Sequence, residues 1–192
     1  MQFMPALMET KRLILRPFES SDAEAAFRWF GDPLVMRYTT TGPDKSIEQT
    51  KARLAKYREH QAARGFSKWI ILDRVSKSAI GDAGLFDLKE YGWIDLGYRL
   101  AQPYWGRGLA TEAASAWVRA AFDEFRFDQI NAFVHPENTA SIRVLEKLKF
   151  QTLRRDTIMG MDAIVFFLRA ENARAVKRNG PGETKSSLFS IT

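Results

Sequence analysis

The sequence predicts a single α+β domain in which a mixed sheet carries helices on both faces. Three observations predict it. Segments of strand and helix period follow one another in the order strand, two helices, three strands, helix, strand, helix, two strands. The 192 residues are 45% hydrophobic and 27% charged, enough to bury one core and unlike a disordered or collagen-like chain. The longest apolar run, Ile158 to Leu168, is interrupted by Asp162 and is about half of the ~20 residues a bilayer requires, so no membrane partner is expected. The opening MQFMPALMETKRLILRP lacks a basic segment followed by an apolar one, so no secretory signal is expected and the cytoplasm is the expected location.

The first strand is read at Lys11 to Arg16, where Leu13 and Leu15 alternate with Arg12, Ile14 and Arg16 before Pro17. Ser20, Ser21 and Asp22 offer N-caps to a helix carrying Ala25, Ala26, Trp29 and Phe30, which Gly31-Asp32-Pro33 stops. A second helix is predicted from Ser46 to about Ala63, with Ser46 and Gln49 as a capping box and Gly65 at its close. Strands at Ser67–Asp73 and Ala79–Phe86 form a hairpin through the polar segment Arg74 to Ser78. Along the next strand, Trp93 to Leu100, Trp93, Asp95, Gly97 and Arg99 share one face and Ile94, Leu96, Tyr98 and Leu100 the other. An alanine-rich helix from Leu109 to about Phe125 can approach a sheet closely. A strand at Gln129–Val134, a helix from Thr139 to Leu148, and strands at Gln151–Arg155 and Met161–Leu168 complete the domain at residue 168. Residues 169–192 thin out in apolar residues and are expected to be a basic extension.

Charge and composition exclude several functions. Lys and Arg number 29 against 23 Asp and Glu, a net charge of +6, but residues 93–168 hold 9 of each sign while 169–192 hold 5 basic and 2 acidic groups. Basicity that sits outside the motif-bearing half argues against a nucleic-acid partner. The absence of cysteine excludes disulfides, thiolate catalysis and cysteine-bound metal. With only His60 and His135, far apart in the chain, no metal site is expected.

The segment Tyr104-Trp105-Gly106-Arg107-Gly108-Leu109-Ala110-Thr111 joins a strand to a helix, where glycines let backbone N–H groups approach an anion and the helix dipole favours it. Taken alone, the glycines could equally serve only the turn. The phosphate-loop pattern G-x-x-x-x-G-K-[ST] is absent, and Thr111 stands where the dinucleotide fingerprint requires a third small residue. Together with TKRLILRPF, IDLGYRL and HPENTASIRVLEKLKF, YWGRGLATEA resembles the GNAT superfamily of N-acetyltransferases, in its RimJ/RimL (ribosomal-protein acetyltransferase) branch, over residues 10–168. Trp105 departs from the Arg or Gln usual at the first loop position, and Lys149 from a usual glycine.

The resemblance implies a mostly antiparallel, splayed sheet of about seven strands, acetyl-CoA as co-substrate, and a primary amine as acceptor. A protein N-terminal amine leads. Polyamines, amino acids, aminoglycosides and a degenerate acyl-CoA sensor remain open, as do monomer and homodimer. It further implies that Gly106, Arg107, Gly108, Leu109, Ala110 and Thr111 hold the pyrophosphate while Glu112 points away. The strand end Tyr98, Arg99 and Leu100 would face the pantetheine arm, and Asn138 and Ser141 its thiol end. Ser141 would assist the leaving thiolate; as plain chemistry, Asn138 is a helix N-cap and Ser141 a first-turn serine. Asp95 and Asp162 are candidates for the base that deprotonates the amine, beside a direct water relay, and His135 is read as structural.

Overall fold

The computed structural model describes residues 7–173. Eight strands form one sheet in the order β1-β2-β3-β4-β5-β6-β8-β7. They are β1 (Met8–Glu9), β2 (Leu13–Pro17), β3 (Lys68–Asp73), β4 (Ala79–Leu88), β5 (Trp93–Leu100), β6 (Gln129–Val134), β7 (Gln151–Ile158) and β8 (Met161–Arg169). The helices are α1 (Ala23–Phe30), α2 (Ile47–Arg64), α3 (Leu109–Arg119) and α4 (Thr139–Lys147). All strand pairs are antiparallel except β5–β6, which run parallel and meet at one position, Asp95 opposite Asn131. Beyond that pair the sheet forks.

The two faces of β3 show how the layers are built. Trp69 and Ile71 face α3, and Ile70 faces α1 and α2, so the strand is apolar on both sides here and buried from Lys68 to Ile71. On the α3 side, Ala113, Ala114 and Ala121 are fully buried, and Trp117 meets Trp69 edge to face at 5.0 Å. Small side chains on the helix let the two indoles interlock against the sheet. On the opposite face, Trp29, Phe30 and Leu54 close over Ile70.

Several boundaries differ from expectation, each for a local reason. β1 adds an eighth strand: two residues pair with Ile14 and Leu15, a segment too short to show alternation. The predicted long helix is α-helical only to Arg119 and then widens, with the Phe125 N–H bonding the Ala120 carbonyl five residues back at 3.0 Å. This wider turn lets Phe125 and Phe127 stack on each other and meet Phe66 edge-on. β7 runs to Ile158 because Met159 and Gly160, at φ +48° and +79°, make a tight two-residue turn into β8. Ser46 does precede α2, but Gln49 accepts from the Lys45 N–H at 2.7 Å, so the expected capping box is displaced by one residue. Asp22 takes the Glu19 N–H and both arms of Arg16, each at 2.7 Å, and is no simple cap for α1. Lys149 adopts the expected left-handed cap at φ +67°, and Phe150 N–H bonds the Leu145 carbonyl in a Schellman closure. The domain also continues past residue 168: Arg169 ends β8, and Ala170 and Ala173 pack on the core. From residue 174 on, the expected extension lies outside the described residues.

Candidate active site

The fork between β5 and β6 opens into a cleft of about 860 Å³. β5 forms its floor. Ala101 N–H bonds the Ile80 carbonyl on β4 at 2.9 Å, so by strand alternation the backbone groups of Tyr98 and Leu100 turn toward the fork. Arg99 is one residue out of phase and turns its backbone to β4 opposite Asp82, so its main chain does not face the fork although the residue lines the cleft. Its side chain is buried in a paired cluster. Asp82 takes the Arg99 guanidinium at 2.7 and 3.0 Å and the Trp29 indole N–H at 3.0 Å, while Tyr57 stands 3.1 Å from Arg99. Burial opposes the Arg99 charge, but Asp82 and Tyr57 outweigh it and hold the guanidinium ionised.

The loop before α3 forms the mouth. Gly106 and Gly108 take φ +71° and +75°, a region that penalises other residues, and α3 starts at Leu109. The N–H groups of Leu109, Ala110 and Thr111 have no carbonyl one turn back to accept them. Glu112 points away from the cleft, as expected. Its carboxylate accepts the Thr10 hydroxyl at 2.6 Å, Arg12 N–H at 2.8 Å and Arg12 Nε at 2.6 Å. Arg12 then reaches the Arg107 carbonyl at 2.9 Å, tying the loop to β2. Arg107 itself is turned outward, its guanidinium over the Tyr104 ring. The unexpected Trp105 donates its indole N–H to the Leu100 carbonyl at 2.6 Å, occupying one backbone group that the fork sets free.

Across the cleft, Asn138 caps α4 by accepting the Ser141 N–H at 3.2 Å, and both residues line the cavity. Tyr98 Oη lies 2.9 Å from Ser141 Oγ and donates to the Ser141 carbonyl at 3.0 Å. That pairing leaves the Ser141 hydroxyl donating to the phenol oxygen. Burial drives the Tyr98 proton affinity up, and the Ser141 bond pulls it back only in part. Sequence reasoning reached the Tyr98 backbone and missed its hydroxyl.

Asp95 points into the sheet from the cleft floor, with 12% of its side chain exposed, and pairs with Lys68 Nζ at 3.2 Å. Burial holds its pKa above the ordinary carboxylate value, and Lys68 offsets that only in part. Lys68 was not anticipated, because its contact with Asp95 depends on strand register. Asp162 is excluded as a cleft base: it sits on the far hairpin in an exposed ion pair with Arg155. His135 stacks on Tyr38 at 5.0 Å and accepts the Glu137 N–H at 3.2 Å, a structural arrangement. The cleft therefore gathers Asp95, Tyr98, Arg99, Leu100, Gly106, Gly108–Thr111, Asn138 and Ser141, while the Arg107 side chain lies outside it over the Tyr104 ring.

Residues 12–151 match the model of the acetyltransferase (GNAT) domain. The chain belongs to the GNAT acetyltransferase family. This acetyltransferase is 35% identical over 147 residues to the uncharacterized N-acetyltransferase YoaA of Bacillus subtilis (strain 168), covering 76% of this chain and 82% of that one. It is 30% identical over 143 residues to the uncharacterized N-acetyltransferase p20 of Bacillus licheniformis, covering 74% and 80% respectively. Among solved structures, a GNAT-family acetyltransferase from Bacillus anthracis superposes with a TM-score of 0.76 at 24% identity, over 86% of this chain and 99% of that one. The acetyltransferase is thus an acyl-transferring enzyme on the expected α+β fold.

Proposed function

We propose that this acetyltransferase takes acetyl-CoA as co-substrate and acetylates a primary amine, with a protein N-terminal amine as acceptor in the manner of the RimJ/RimL branch. The observation that carries the reading is the placement of the Gly106–Thr111 loop at the mouth of the β5–β6 fork. The loop suits a diphosphate: two left-handed glycines and three unpartnered helix-start N–H groups present donors without side chains in the way. Acetyl-CoA, when bound, supplies an activated acetyl thioester. In this reading the backbone of Tyr98 and Leu100 aligns the ligand arm, and a free N–H at this strand end faces the reacting carbonyl oxygen. Asp95 accepts the proton that the amine must lose. Tyr98, whose oxygen lies beside the Ser141 hydroxyl, would turn its one proton from the Ser141 carbonyl to the departing thiolate. Asn138 holds Ser141 in place through the N-cap.

The acceptor side favours a peptide amine over a polycation. A polyamine or aminoglycoside calls for a cluster of carboxylates, whereas Asp95 and Glu137 are the two acidic residues in a lining that also holds Arg37, Arg53, Lys68 and Arg143. A coenzyme A release assay across N-terminal peptides, polyamines, aminoglycosides and amino acids tests the reading. Peptides are expected to give the highest kcat/KM; faster turnover of a polyamine would reverse the choice. In a thermal-shift series, acetyl-CoA at 100 times its Kd should stabilise the fold by about 2.7 kcal/mol. No shift at millimolar acetyl-CoA would remove the co-substrate assignment.

A further inference from the structure

Lys68 reaches Asp95 by a route built into three strands. In register, Lys68 on β3 stands opposite Gly84 on β4, and Gly84 opposite Gly97 on β5. A Cβ on Gly97 would lie 2.6 Å from Lys68 Nζ, and one on Gly84 would lie 2.6 Å from Lys68 Cα and 2.0 Å from the Ser67 carbonyl oxygen. Gly84 admits the β3 main chain at Ser67 and Lys68, and Gly97 leaves the space that the end of the lysine side chain fills. Its ammonium ends 3.2 Å from Asp95 Oδ2, 2.9 Å from the Gly84 carbonyl and 3.4 Å from the Asp95 carbonyl. Close approach of the β3 main chain accounts for Gly84, but folding alone does not ask for the charge: a buried ion pair seldom outperforms apolar side chains of the same volume. The carboxylate so served is the one on the cleft floor.

We propose that Lys68 is a positioning residue that keeps Asp95 ionised, so that Asp95 can take the proton of the incoming ammonium group. The inference rests on the reading of Asp95 given above. The N–H bond of the acceptor breaks, its electron pair stays on nitrogen, and the proton moves to a carboxylate oxygen of Asp95 and from there to solvent in the open cleft. Burial lowers the proton affinity of Lys68 and the Asp95 and Asp82 charges offset it in part; in this step the ammonium takes no part in the proton transfer. No neighbour duplicates it. Arg99 also faces Asp95 electrostatically, but Asp82 and Tyr57 engage its guanidinium. Tyr98 is held neutral by burial, and β6 offers the neutral Asn131 opposite. On α2, His60 is occupied with the Phe66 carbonyl and the Asp87 N–H.

The test combines pH profiles of kcat/KM with a ¹³C carboxyl titration of Asp95 in the free protein. Lys68→Met is expected to move the acid limb and the Asp95 titration upward together by about 1 to 3 pH units. Gly97→Ala, which displaces the flexible end of the lysine and keeps every charge, should shift both the same way by less, and it decides the matter where Lys68→Met fails to fold. Asp95→Asn should abolish the limb. An unmoved limb and titration in the Lys68 and Gly97 variants, with the limb lost in Asp95→Asn, overturns the role of Lys68 alone. An Asp95→Asn enzyme with an unaltered profile overturns the Asp95 reading and this inference with it.

Discussion

A hydroxyl that meets a departing thiolate has to keep its proton until the bond breaks. Tyr98 satisfies this, because burial outweighs the Ser141 bond and holds the phenol neutral well above its ordinary range. Tyr98→Phe deletes that donor while preserving the ring, and kcat is expected to fall about 100-fold with little change in the KM for acetyl-CoA. Steady-state kinetics check it; an unchanged kcat would reduce the ring to packing. Ser141→Ala should cost less, since Tyr98 still donates to the Ser141 carbonyl. The sequence made Ser141 legible through the spacing Asn138-x-x-Ser141 in HPENTASI, a pattern local to one helix start. It hid the Tyr98 hydroxyl because that contact joins residues 43 apart, and nothing local records it. Lys68 was hidden for the same reason, although two glycines at matching positions in AIGDAGLF and WIDLGYRL were the available clue.

At the scale of elements, the start of α3 is held by its own glutamate. Burial disfavours the ionised Glu112, but the Thr10 hydroxyl and the Arg12 N–H groups outweigh it and hold its pKa below the ordinary value of 4.5. The unfolded chain therefore takes up this proton first. The stabilisation is complete above pH 4.5 and is lost as pH falls through the folded value. Glu112→Gln should cost about 1 to 3 kcal/mol at pH 7 and show a smaller further loss near pH 4, as read by urea denaturation. Its KM for acetyl-CoA should rise, because Arg12 loses the carboxylate that aims it at the Arg107 carbonyl. Apart from the two-residue β1, element types and order were legible, since alternation in β2 and β5, the apolar run of β3 and alanine spacing in α3 are local signals. Their ends were less so. The widened turn after Arg119 serves a stack of Phe66, Phe125 and Phe127 assembled from distant segments, and the Gln49 contact slipped by one residue within the same turn.

For the whole molecule, His60 couples α2 to the sheet. Its ring stacks on Phe86 at 4.1 Å, and Nε2 accepts the Asp87 N–H at 3.1 Å, which places the proton on Nδ1 toward the Phe66 carbonyl. Burial lowers its proton affinity below the ordinary 6.5. Stability should therefore be complete above pH 6.5 and decline below it until the folded ring also titrates, by less than about 1.4 kcal/mol per pH unit for this partly exposed group. His60→Gln, which retains an acceptor for Asp87, should flatten that part of a Tm-against-pH curve; an unchanged slope would assign it to other groups.

The fork has a mechanical consequence as well. With Asp95 and Asn131 as the one ladder position shared by β5 and β6, the sheet consists of a five-stranded and a three-stranded plate joined at a single rung. Each plate has its own continuous antiparallel ladders, so the plates should open to solvent as separate cooperative units. Amide hydrogen exchange is expected to resolve residues 129–169 as one such unit. A ligand seated in the V would act as the missing rungs, slowing exchange in both plates together and merging the two units into one.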